Sequence, residues 1–135
     1  KVGLVKVSVT LIPEQIEVFK GFKGLVIEGT GLGHTPTTKL DKYTKDNPKI
    51  LKAIEVLTKS GTIVVMTSNC IFGNVSLNVY STGKHLTKAG VISGEDMLPE
   101  TALIKLSWLL KNEPNKVKLK FSKNLVGEIN NRIQI

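Results

Sequence analysis

Two short apolar runs, LVIE at residues 25–28 and TIVVM at residues 62–66, constrain the fold more than any other feature of the chain. Neither alternates with polar residues, so each needs apolar cover on both faces, and strands of that kind belong to parallel sheets held between helices. The segment between them supplies such a helix. Asn47-Pro48 opens it, Ile50, Leu51, Ile54 and Leu57 recur at three- and four-residue spacings, and Gly61 stops it after about Lys59.

The rest of the chain repeats this alternation. Val5, Val7, Val9 and Thr10 predict a first strand within Val2 to Leu11, and Pro13 opens a short helix in PEQIEVFK. Gly24 introduces the second strand, which ends at Glu28 and is followed by the glycine loop GTGLGHTPTTKL. The third strand is Thr62 to Met66. STGKHLTKAG then predicts a short helix capped by Ser81 or Thr82, and residues 91–92 a brief fourth strand. LPETALIKLSWLLKN predicts a long helix with Pro99 in its first turn and a broad apolar face of Leu103, Leu106, Trp108, Leu109 and Leu110. A last amphipathic helix is expected over Lys116 to Lys123, and the tail INNRIQI carries apolar residues suited to packing on a partner.

Strands alternating with helices imply right-handed crossovers. The expected fold class is α/β: a three-layer, Rossmann-like sandwich around a small, mainly parallel sheet of about four strands. Ligand contacts in such sheets gather in the loops beyond the carboxyl ends of the strands, which is where the segments after Glu28 and Met66 fall.

The length of 135 residues suits one domain with a real core, and 41% hydrophobic against 22% charged residues excludes a disordered chain. No apolar run approaches the ~20 residues that cross a bilayer, so a soluble protein without a membrane partner is expected. Cys70 is the single cysteine and precludes an internal disulfide, which points to the cytoplasm. The net charge of +8 rests on scattered lysines, with Arg132 the only arginine. Nucleic-acid readers concentrate arginine and interleave aromatics, so neither DNA binding nor sequence-specific RNA binding is expected, although diffuse positive charge still attracts a polyanion such as transfer RNA. The first residue, Lys1, falls directly in an apolar alternation, which suggests a fragment or processed product.

The candidate chemistry sits in MTSNCIFGNVSLNVYSTGK, Met66 to Lys84, which holds hydroxyls, amides and a thiol but no acid, no histidine and no general base. Cys70 reads as a small, mostly buried thiol, because no histidine lies near it in sequence and a thiol of ordinary pKa, ~8.5, is mostly protonated at neutral pH. Tyr80 and Lys84, one helical turn apart, could face a shared carboxylate, against the plainer reading of Tyr80 as a packing residue. In GTGLGH, Gly29, Gly31 and Gly33 alternate rather than follow a dinucleotide fingerprint, so they read as backbone freedom between strand and loop. Glu28 reads as a cap for neighbouring amides and His34 as a surface loop histidine, with His85 too far along the chain to form a metal pair. Glu95 and Asp96 read as a loop and cap ahead of Pro99. No metal is expected.

The order GFKGLVIEGTGLGH, VVMTSNCIFGNVSLNVYSTGK, KAGVISGEDMLPETALIKLSWLL, NLVGEI resembles the C-terminal domain of the type I asparaginase family from about Gly21 to Ile129. Within that family NVYSTG (78–83) and MLPETA (97–102) are most similar to the branch of glutaminase-like subunits of archaeal glutamyl-tRNA(Gln) amidotransferases. The resemblance implies a catalytic centre of two threonines, an aspartate, a lysine and a tyrosine in an N-terminal domain. Neither the nucleophile motif TGGTI nor the motif HGTDT occurs between Lys1 and Ile135, so residues 1–135 are expected to be a C-terminal domain, inactive alone, with no catalytic residue of their own. The implied roles are to buttress the catalytic domain, to share in a homodimer interface and to edge a neighbouring active site. The parent is then an amidohydrolase that releases ammonia from glutamine or asparagine. A kinase-type partner subunit, using ATP and Mg, converts Glu-tRNA(Gln) to Gln-tRNA(Gln), and no cofactor binds this domain. The alternatives are a free-standing type I L-asparaginase and a non-catalytic scaffold. Thr67, Ser68 and Cys70 match the family's effector-binding loop, and with Tyr80 and Lys84 they are the substrate or effector candidates. Asn69 stands where relatives carry glutamine, and Gly73-Asn74 where they carry glycine and a basic residue. SVTLIPEQ is shorter than the family's first strand-to-helix loop.

Overall fold

The computed structural model describes residues 1–130; the end of the tail, residues 131–135, lies outside them, and with it most of the expected packing of INNRIQI. Four strands, β1 (Val2–Lys6), β2 (Gly24–Gly29), β3 (Ile63–Ser68) and β4 (Ile92–Ser93), form one sheet in the order β1-β2-β3-β4. All three pairings are parallel, with Leu4 opposite Val26, Val26 opposite Val65 and Val65 opposite Ile92. The crossovers are α1 (Glu14–Glu17), α2 (Asn47–Lys59) and α3 (Ser81–Lys88), and α4 (Pro99–Asn112) follows β4. A 3-10 turn at Pro114–Lys116 leads into α5 (Val117–Lys120).

The unbroken apolar runs do what parallel strands require and feed two cores. Leu25, Ile27, Val64 and Met66 point to one face and pack with Ile16, Ile50, Ile54, Leu57 and Leu86 of the three crossover helices. Val26 and Val65, the residues between, point to the other face and meet Ala102, Leu106, Leu109, Val117 and Phe121. A sheet built in one direction by right-handed crossovers places all its crossover helices on one side, so the opposite side waits for α4 and α5. That is the three-layer sandwich expected from the sequence.

The elements differ from expectation at their ends. The first strand stops at Lys6, where the chain turns through Ser8 and Thr10, whose hydroxyls bond each other at 3.0 Å. The third strand runs two residues past Met66, because Thr67 and Ser68 keep pairing with Glu28 and Gly29. The last helix shrinks to one turn, since Glu113 and Pro114 tighten the entry into a 3-10 turn. Neither Ser81 nor Thr82 caps α3; Tyr80 holds the cap position with extended backbone and no side-chain bond. Ile129, the one apolar tail residue described, packs on the second core.

Candidate functional site

Residues 30–46 after β2 and 69–80 after β3 meet at the carboxyl edge of the sheet. Ser68 joins them. Its Oγ donates to the Gly31 carbonyl at 2.5 Å and accepts the Cys70 N–H at 3.0 Å. Asn69 tightens the same junction, its N–H donating to the Gly29 carbonyl at 2.8 Å and its Oδ1 accepting the Gly31 N–H at 3.4 Å. Further along, the Ser76 N–H donates to the Leu32 carbonyl at 2.9 Å and the Val75 N–H to the Glu95 carbonyl at 2.9 Å, which brings in the loop after β4.

The remaining candidates divide. Thr67 is buried and spends its hydroxyl on the Ile27 carbonyl at 3.3 Å, inside the sheet and away from the loops. Cys70 is exposed, not the mostly buried thiol expected, because the turn closed by the Gly73 N–H on the Cys70 carbonyl lifts Cys70, Ile71 and Phe72 outward. Its Sγ contacts Asn69 Oδ1 at 3.5 Å and no base. Tyr80 is half-exposed and packs edge-on against His34, with ring centroids 5.2 Å apart. Lys84 is exposed one turn into α3, and among the described residues no hydrogen bond joins its ammonium to Tyr80. Gly83, between them, is fixed by contact: a Cβ there would lie 2.2 Å from the Leu77 carbonyl oxygen.

Three readings of single residues are corrected. His34 is half-buried, with its backbone bridged to Thr30, so it belongs to the junction rather than to the free surface. Glu28 pairs with the Lys6 ammonium at 2.6 Å instead of capping amides. Asp96 caps no helix; Leu98 precedes Pro99, and Asp96 instead accepts the Asn130 side-chain amide at 2.6 Å. The structural part played by Asn69 was not foreseen, although an asparagine directly after a strand is a common source of side-chain turns.

The arrangement ties loops together. The Ser68 and Thr67 hydroxyls are committed to carbonyls, and the thiol has an amide oxygen as its neighbour. Among the described residues no three His, Cys, Asp or Glu side chains come together as a metal site. A separate concavity of about 400 Å³ lies between α4 and the residues after α5, lined by Ile104, Trp108, Leu125 and Val126 over a buried ion pair of Lys105 and Glu128. No helix among the described residues is long and apolar enough to cross a membrane.

Residues 1–120 match the family model described as the Glutaminase/Asparaginase C-terminal domain. The chain belongs to this family. It is 50% identical over 133 residues to the D subunit of the glutamyl-tRNA(Gln) amidotransferase of Pyrococcus abyssi, a match that covers 96% of this chain and 28% of that protein. The corresponding D subunit of Methanobrevibacter smithii is 45% identical over 139 residues, covering 100% of this chain and 29% of its own length. Among solved structures, L-asparaginase I from Vibrio cholerae superposes with a TM-score of 0.81 at 31% identity, covering 96% of this chain and 37% of that one. The thermostable L-asparaginase from Thermococcus kodakarensis does so with a TM-score of 0.82 at 30% identity, covering 97% and 38%. The chain thus spans under a third of the length of these curated relatives.

Proposed function

We propose that residues 1–135 are the C-terminal domain of an amidohydrolase subunit that releases ammonia from glutamine or asparagine for conversion of Glu-tRNA(Gln) to Gln-tRNA(Gln). The observation that carries this reading is the identity of 50% with an archaeal amidotransferase subunit across 96% of the chain, set against only 28% of that protein's length. The acyl-transfer chemistry then belongs to a preceding catalytic domain, where an activated threonine attacks the side-chain amide and water clears the acyl-enzyme. This domain buttresses that centre, shares in a homodimer and presents the Ser68–Gly31 junction, with Cys70, Tyr80 and Lys84 on its outer side, to the catalytic edge or to an effector. It binds no cofactor of its own, and ATP with Mg serves a kinase-type partner subunit.

A second reading, a free-standing type I L-asparaginase, is favoured by the two solved asparaginases that share the fold at 31% and 30% identity. Ammonia release by the full-length parent separates the two. Glutamine-dependent release that rises with Glu-charged tRNA(Gln) and the partner subunit supports the first; fast asparagine hydrolysis indifferent to tRNA supports the second. Residues 1–135 alone release no ammonia at enzyme-like rates under either reading, and release at such rates overturns both.

A further inference from the structure

Parallel topology imposes a charge pattern on this chain. All strands run one way, so every crossover helix runs back and ends at the amino edge of the sheet. That edge is held together by short contacts. The Lys23 N–H donates to the Lys1 carbonyl at 2.9 Å, the Ile63 N–H to the Lys23 carbonyl at 3.0 Å, and the Thr58 hydroxyl to the Ala89 carbonyl at 2.6 Å. A Cβ on Gly24 would lie 2.9 Å from Leu110, which places the end of α4 beside Lys23.

Lysines cluster on this edge: Lys1 and Lys23 at the strand starts, Lys20 just before them, and Lys59, Lys88 and Lys111 in the last turns of α2, α3 and α4. All six are exposed. Lysine in a last helical turn complements the helix dipole, which explains one such residue per helix but not the convergence of three helix ends with the strand-start lysines. Three carboxylates lie nearby: Glu55 is 3.7 Å from Lys52 and 3.8 Å from Lys59, Glu113 is 2.7 Å from Lys120 and 3.5 Å from Lys116, and Glu17 lines the same hollow as Lys20 without pairing with it. Among the described residues Lys20, Lys23, Lys88 and Lys111 have no ion-pair partner.

We infer that this amino edge is a docking surface for the phosphate backbone of a folded RNA, read without base specificity. Lysine supplies point charges that follow phosphates, and the stacking rings that read bases are elsewhere: Tyr43, Phe72 and Tyr80, the three most exposed aromatics, belong to loops at the opposite edge. The turns between the lysines carry Ser60, Gly61, Gly90 and Asn112, Phe22 between Lys20 and Lys23 is half-buried with the Lys1 ammonium 5.7 Å from its ring centroid, and Val18 at the end of α1 is the one strongly exposed apolar side chain beside them, whereas membrane surfaces couple basic charge to several inserted apolar side chains. The surface lies across the sheet from the Ser68–Gly31 junction and is independent of the amide chemistry proposed above.

The test is fluorescence anisotropy of labelled bulk transfer RNA with residues 1–135 over a salt series. Lys23→Glu/Lys59→Glu/Lys111→Glu is compared with Lys39→Glu/Lys42→Glu/Lys45→Glu, which changes net charge equally at the opposite edge. The amino-edge variant is expected to weaken binding by at least tenfold near 0.1 M salt and to lower the slope of log K against log salt by about 2, the counterions of the lost phosphate contacts. The opposite-edge variant should change affinity by less than about threefold, through diffuse charge alone. Lys23→Gln/Lys59→Gln/Lys111→Gln repeats the experiment with a smaller disturbance of the helix ends, and circular dichroism checks that each variant is folded. Equal weakening by both edges, no RNA binding at 50 mM salt, or tighter binding to phosphatidylserine vesicles than to RNA would each overturn the inference.

Discussion

The Ser68 hydroxyl and the Gly31 carbonyl, 37 positions apart in sequence and 2.5 Å apart in space, bind the two long loops of the carboxyl edge to each other. Ser68 also receives the Cys70 N–H, so one side chain serves a donor and an acceptor at once. Ser68→Ala removes two hydrogen bonds from a buried side chain whose partners, at Gly31 and Cys70, water can reach, and should cost roughly 0.5–1.5 kcal/mol. Thermal unfolding of the variant measures that loss, and amide exchange at Cys70 should quicken with it. Unchanged stability together with unchanged exchange would show that the clip contributes nothing.

Gly83 and Gly61 make a matched pair for testing close approach against backbone strain. At Gly83 a Cβ meets the Leu77 carbonyl oxygen at 2.2 Å and the Leu77 Cα at 2.8 Å, so α3 must move away from the loop. At Gly61 the backbone has φ +95° but open space, so only conformational strain opposes a side chain. Gly83→Ala should cost roughly 3 kcal/mol or more and Gly61→Ala about 1. Denaturant melts of the two variants settle the order, and a reversed order would refute the contact argument.

Cys70 stands at the tip of an exposed turn between Asn69 and the exposed Ile71–Phe72 pair. An aromatic thiol reagent should modify it in the native chain within a few-fold of its rate with the unfolded chain. Cys70→Ser should leave stability within about 0.5 kcal/mol, as exposed substitutions usually do. A thiol that resists the reagent until the protein is unfolded contradicts this placement.

The layers of the fold were legible in residues 25–28 and 62–66, because an unbroken apolar run has only one economical environment, a strand covered on both sides. The helix over Asn47–Lys59 was legible to the residue for a similar reason: Pro48 marks one end, Gly61 the other, and four apolar residues share a face. The carboxyl edge was harder. A cysteine with no histidine near it in sequence reads as a mostly buried thiol, but a turn closed by Gly73 decides the exposure of Cys70, and that closure is invisible in composition. Asn69 and His34 join the junction through partners 38 and 46 positions away, Gly31 for the amide and Tyr80 for the ring. Local patterning carries no trace of such pairings. The ion pair of Lys105 with Glu128 escaped notice for the same reason, since a lysine inside an apolar helix face reads as a solvated charge until a second segment covers it.

That pair sets how the chain responds to acid. Lys105 and Glu128 side chains are 6% and 9% exposed, and the Lys105 ammonium also donates to the Lys123 carbonyl at 2.6 Å and lies 5.5 Å from the Phe121 ring centroid. Burial pushes the Glu128 carboxyl up, but the bonds from Lys105 and from the N–H groups of Val126 and Leu125 outweigh it and lower its pKa from 4.5 to about 2. A carboxyl depressed on folding adds stability above its unfolded value that is lost as pH falls through the folded one. The window is therefore pH 4.5 down to about 2, with roughly 3 kcal/mol at stake. Glu128→Gln should lower stability at pH 7 by about 3 kcal/mol, because it leaves a buried ammonium without its counter-charge. The gap from the parent chain should then narrow between pH 4.5 and 2, as the parent loses the same interaction by protonation. Replacing both residues together, Lys105→Met with Glu128→Leu, should recover most of the loss, since the bare charge rather than the missing attraction is what destabilises. Urea melts of the three chains at pH 7, 4 and 2.5 decide it, and a gap between Glu128→Gln and the parent that stays constant across that range would rule the linkage out.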